Sequence, residues 1–111
     1  MNVFEVKVTP QAEAQMREIA WYIAVELKNP DAAENLMDKL GEEIEKLGRN
    51  PEKKPLVDDE PWRSEGIRHA KVEHYLVYFW IDVENAAVHV IAIVYEKREQ
   101  KRILAKLKKD G

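Results

Sequence analysis

Tyr75-Leu76-Val77-Tyr78-Phe79-Trp80-Ile81-Asp82, followed after a short polar link by Ala86 to Tyr95, decides the fold. The two runs contain no Gly or Pro and almost no charge, and they are rich in Val, Ile, Tyr, Phe and Trp. These residues fit a pleated, buried surface. Asp82-Val83-Glu84-Asn85 between them reads as the turn of a β-hairpin. Alternation puts Val77, Phe79 and Ile81 on one face and Leu76, Tyr78 and Trp80 on the other. In the partner strand it puts Val88, Val90, Ala92 and Val94 on one face and Ile91, Ile93 and Tyr95 on the other, with His89 the one polar interruption. A hairpin wet on one side would alternate apolar with polar residues. This one does not, so both faces need cover, and the chain has to supply it or find it in a partner.

Upstream, the chain offers cover for one face. Phe4, Val6 and Val8 alternate with Glu5 and Lys7, as in a short half-buried strand. Thr9 and Pro10 form a helix start, and Ala12, Met16, Ile19, Ala20, Ile23 and Leu27 recur at helical spacing. Asn29 and Pro30 repeat the device, and Ala33, Leu36, Met37, Leu40, Ile44 and Leu47 form a second stripe, with Gly48 placed to end the helix in a left-handed cap. So short a link requires an antiparallel helix hairpin, whose joined stripes can lie on the sheet. Pro51, Pro55 and Pro61 then exclude regular structure, and residues 49–65 read as a loop anchored by Leu56, Val57 and Trp62. Its length favours a binding role. Gly66 ends it. Residues 67–73 form a strand with Ala70 and Val72 inward, and Lys97 to Lys109 read as a short C-terminal helix. The expected fold is α+β: an N-terminal strand, a two-helix hairpin on one face of a mainly antiparallel sheet of about four strands, and that helix, in one domain spanning 1–111.

Composition narrows the chemistry. The 111 residues are 45% hydrophobic and 35% charged with a formal net charge of −3, which fits one solvated globular domain rather than a general nucleic-acid coat. Basic residues concentrate in 97–109, which carry seven Lys and Arg against Glu99. With no cysteine there is neither a disulfide nor a thiolate metal site. No apolar run approaches the roughly 18 residues of a membrane span and no signal peptide is visible, so a cytoplasmic protein is expected. The four glycines at 41, 48, 66 and 111 cannot build a phosphate-cradling loop, and Ser64 is the only serine. His69, His74 and His89 lack the spacing of a helical metal pair. No cofactor or metal is therefore expected. What remains is a cationic set, Arg68, Lys71 and Arg98, with His74 as a base. Cleaving RNA by 2′-hydroxyl attack would need such groups.

Taken in order, Val8-Thr9-Pro10-Gln11-Ala12, Ile19 to Ile23, Asn29-Pro30, Leu47, Pro51, Gly66-Ile67-Arg68, Val72, Tyr75 to Tyr78, Ile81-Asp82, Val90 to Tyr95 and Lys97-Arg98 resemble the RelE/ParE superfamily of type II toxin–antitoxin toxins. The resemblance covers nearly the whole chain. It implies a small bacterial toxin neutralised by an antitoxin that wraps it, in a hetero-oligomer. The antitoxin would take the second apolar sheet face, with Tyr78, Trp80, Ile91 and Ile93 as its contacts. The RelE-like branch cleaves messenger RNA on the ribosome, and there Arg68, Lys71 and Arg98 would be catalytic. However, Tyr75 and Leu104 stand where that branch has a second strand arginine and, in its founding member, a tyrosine. The ParE-like branch inhibits DNA gyrase by binding, and the long first helix and Pro-containing helix link fit it better. The expectation is a ParE-like toxin that is not an enzyme. The alternatives are a ribosome-dependent endoribonuclease or a non-toxic remnant that only binds its antitoxin.

Overall fold

The computed structural model describes residues 3–97, so the expected C-terminal helix lies outside the described residues. The chain runs β1 (Glu5–Val8), α1 (Pro10–Trp21), a π-helical turn (Tyr22–Glu26), α2 (Pro30–Lys46), a 3₁₀ turn (Pro51–Lys53), β2 (Arg68–Val72), β3 (Tyr75–Asp82) and β4 (Ala87–Tyr95). The strands form one mixed sheet in the order β1-β4-β3-β2, with β1 parallel to β4 and the other pairs antiparallel. This is the expected α+β architecture.

The helix starts follow from their caps. Thr9 Oγ1 accepts the Ala12 N–H and Asn29 Oδ1 accepts the Ala32 N–H, each at 3.2 Å, and each helix then opens on proline. The stripes dock as their spacing requires except at the far end of the first, where Ala20 stays outside the core and Leu27, beyond the π-helical turn, is 55% exposed. Ala12, Leu36, Leu40, Ile44 and Leu47 form one core with Ala70, Val72, Val77, Phe79, Val88, Val90 and Ile93, and Phe4, Val6 and Val8 pack against it. The end of α2 differs from the expectation. Gly48 does not take a left-handed conformation. That conformation falls at Asn50, with φ 50°. Gly48 is needed for space, because a Cβ there would meet the Phe4 carbonyl oxygen at 2.8 Å.

The second sheet face is covered by the chain itself. Val57, midway along the proline loop, and Ile67, just after it, join Leu76, Tyr78, Ile91, Ala92 and Val94 in a second core, with Trp62 and Trp80 packed against it. The loop is pinned along the β2 edge, where Leu56 bridges Arg68 and the His69 N–H donates to the Pro55 carbonyl at 3.1 Å.

Simple alternation fails in β4. Tyr78 pairs with Ala92 but Phe79 pairs with Val90, so Ile91 is an extra residue on β4. A bulge puts two successive residues on one face and inverts the pattern beyond it. Val88 and Val90 face the helices, Ile91 and Ala92 both face away, and Ile93 returns to the helix side. Gln15 of α1 secures this stretch by accepting the Ile93 N–H at 2.8 Å.

Candidate functional site

The cations expected to act together are separated. Arg68 and Lys71 lie three residues apart on β2, which sends their side chains to opposite faces. Arg68 Nη1 donates to the carbonyls of Lys54 at 2.6 Å and Glu52 at 3.2 Å. It straps the proline loop to the sheet. Lys71 pairs with Glu96 at 3.0 Å, and His74 Nδ1 lies 3.7 Å from the same carboxylate. The hydrogen bond from Lys71 is the leading cause that holds the Glu96 carboxyl below its ordinary pKa. Arg98 lies outside the described residues. Arg68 is thus structural in its contacts, and Lys71 carries a counter-ion that the sequence reading did not foresee.

Arg68→Ala should therefore lower stability by about 1.5 kcal/mol through two lost charge-assisted bonds to carbonyls. Thermal melting checks this, and faster proteolysis between Pro51 and Gly66 should accompany it. An unchanged melting temperature would mean the strap holds nothing.

The proposed antitoxin contacts also need correction in their placement. Tyr78 and Ile91 are 1% and 2% exposed beneath the proline loop, and Ile93 is 2% exposed on the helix side. The bulge is the physical reason for Ile93. Burial pushes the Tyr78 phenol up to about 12, so it stays protonated at neutral pH. His69 stacks on Tyr78 with ring centres 6.2 Å apart, and burial lowers its pKa. Trp80 lies on the face away from the helices and is half-buried.

Around Trp80 the structure assembles a group that sequence reading missed. The indole stacks on His89 with centres 4.6 Å apart. Asp82 Oδ2 lies 3.1 Å from His89 Nε2 and accepts from Asn85 Nδ2 at 2.9 Å. These two bonds, that from Asn85 first, hold the Asp82 carboxyl below its usual range. The available signal was His89, the lone polar residue in an apolar strand, opposite Trp80 in register. Beside it opens a groove of about 440 Å³ lined by Phe4, Trp80, Ile81 and Val83 together with Glu52, Glu65 and Arg68. No group of His, Asp or Glu among the described residues is placed to hold a metal ion. No helix among them is long and apolar enough to cross a membrane.

These features define a class: a small protein with a helix hairpin on one face of a mixed sheet. The family model for the ParE toxin of the type II toxin–antitoxin system parDE matches residues 6–108, and the chain belongs to that family. Among solved structures it resembles the chromosomal ParDE system of Pseudomonas aeruginosa, with a TM-score of 0.69 and 18% identity over 86% of this chain and 98% of the other. It also resembles the toxin–antitoxin complex RelBE2 of Mycobacterium tuberculosis, with a TM-score of 0.59 and 17% identity over 86% and 93%. At these identities the likeness is one of fold. No curated protein matches significantly.

Proposed function

We propose that this chain is the toxin of a ParE-type module, that it inhibits growth by binding DNA gyrase in the cytoplasm, and that a cognate antitoxin neutralises it. The observation that carries the choice of binding over catalysis is the separation of Arg68 and Lys71. One is spent on loop carbonyls, the other is paired with Glu96, and the two face opposite sides of the sheet. Phosphoryl-transfer catalysis needs its cations converging on one phosphate. The net charge of −3 also disfavours a partner as anionic as the ribosome. The antitoxin is supported by the family and by the two similar structures, both of which are toxin–antitoxin systems.

The test uses purified protein against purified gyrase and, separately, programmed ribosomes. Inhibited supercoiling or trapped DNA breaks, with messenger RNA left intact, is the expected result. Codon-specific cleavage that vanishes in Arg98→Ala would replace this reading with the ribonuclease one, because losing a group that stabilises transition-state charge typically costs about 100-fold or more in rate.

A further inference from the structure

We propose that the groove beside Trp80 receives an arginine side chain of the antitoxin, held between aromatic surface and two carboxylates; this rests on the ParE-type reading above. The end of β3 and the turn after it contribute Trp80, Ile81 and Val83, and the proline loop contributes Glu52 and Glu65. Phe4, just before β1, adds a second ring. The two carboxylates are uncommitted. Both residues are exposed, and among the described residues neither side chain has a hydrogen bond or an ion pair. The cation in the lining is engaged elsewhere, because Arg68 Nη1 donates to the carbonyls of Lys54 and Glu52. The strap that pins the loop thus also brings Glu52 to the groove. The lining keeps two unpaired carboxylates against one bonded guanidinium, a net negative charge beside aromatic rings.

That combination selects a cation with an apolar stem. An exposed carboxylate alone attracts any cation, and weakly. Indole is the best ring for cation–π attraction, and a guanidinium stacks flat on it while offering N–H donors that a carboxylate accepts in pairs. The aliphatic part of an arginine side chain can then lie along Phe4, Ile81 and Val83. Trp80 is set in advance for this role. It stacks on His89 with ring centres 4.6 Å apart, and Asp82 Oδ2 holds His89 Nε2 at 3.1 Å. Asp82 adds a further negative charge at that end of the sheet.

Ligands of other chemistry fit the groove less well. A phosphate or an acidic side chain would meet Glu52 and Glu65 with Arg68 already bonded to the loop. A wholly apolar segment would desolvate both carboxylates and leave them unpaired, which costs free energy. An arginine flanked by apolar residues pairs the carboxylates and covers the rings together.

The test has one arm without the antitoxin and one with it. The free full-length protein is titrated with Nα-acetyl-arginine methylamide and, separately, with the uncharged citrulline analogue, following the Trp80 indole N–H by nuclear magnetic resonance. The arginine probe should shift that signal saturably and the citrulline probe should not. The double variant Glu52→Gln/Glu65→Gln should lose the response while keeping its melting temperature, because both residues are exposed. In calorimetric titration with the cognate antitoxin, the double variant should bind about tenfold more weakly, and the difference should shrink as salt is raised. Replacing each arginine of the antitoxin by alanine should find one whose loss is no longer felt in the double variant. Equal responses to the two probes, or unchanged antitoxin affinity in the double variant, overturns the proposal and leaves the ParE-type reading standing. Unchanged antitoxin affinity with lost gyrase inhibition would assign the groove to gyrase, and a change confined to the mass of the free protein would assign it to a second copy; either overturns the antitoxin as occupant. An antitoxin that fails to bind wild type at all overturns the ParE-type reading instead.

Discussion

Leu40→Asp is expected to cost at least about 3 kcal/mol and to lower the melting temperature by about 10 °C or more. Leu40 is 0% exposed at the centre of the α2 stripe, in the same core as Phe79, Val88 and Val90. The substitution removes a buried aliphatic side chain, worth several kcal/mol when its site cannot collapse, and puts a carboxylate where no cation reaches it. A domain of this size has a total stability of roughly 5–15 kcal/mol, so one such change takes much of it. Far-ultraviolet circular dichroism against temperature reads the result. A melting temperature equal to wild type would mean that α2 does not bury this face. The hairpin would then be free to serve as a binding surface rather than as the sheet's cover.

The parts of the fold that could be read in advance are those governed by local chemistry. Thr9-Pro10 and Asn29-Pro30 announce their helices because a cap oxygen and a proline at the first position act within one turn. The stripes of α1 and α2, the inward Ala70 and Val72, and the β3 alternation follow from period alone. What could not be read depends on contacts distant in sequence. The Ile91 bulge has no Gly or Pro to mark it and is held by Gln15, which bonds Ile93 from 78 positions away. Gly48 reads as a left-handed cap because such glycines usually are, but its requirement comes from Phe4 crossing the end of α2. Arg68 has the residue type of a catalytic cation, and only its reach to Glu52 and Lys54 shows it to be a strap. Site residues were the least legible for the same reason. Period places a residue on a face, but it does not say whether a loop will cover that face, and Val57, Trp62 and Ile67 cover this one.

Trp80→Ala is expected to weaken antitoxin binding by about 2 kcal/mol, close to thirtyfold, while the chain still folds. Of the four residues assigned to that surface from sequence, Trp80 alone is neither fully buried nor under the helices. It lines the groove shared with Phe4, Ile81 and Val83, and Val83 is 76% exposed there. Interface energy concentrates in aromatic side chains that are partly buried before binding and fully desolvated after it. Stacking on His89, which Asp82 holds in turn, fixes the indole before the partner arrives, so little side-chain entropy remains to be lost. Truncation also removes packing from the second core, so the free protein should melt somewhat lower, and that loss must be measured separately. His89→Ala resolves the two effects. It leaves the indole present but unsupported, and should cost severalfold in affinity, less than Trp80→Ala. Calorimetric titration of wild type and both variants with the cognate antitoxin decides the matter. If Trp80→Ala binds as tightly as wild type, the antitoxin does not use this groove.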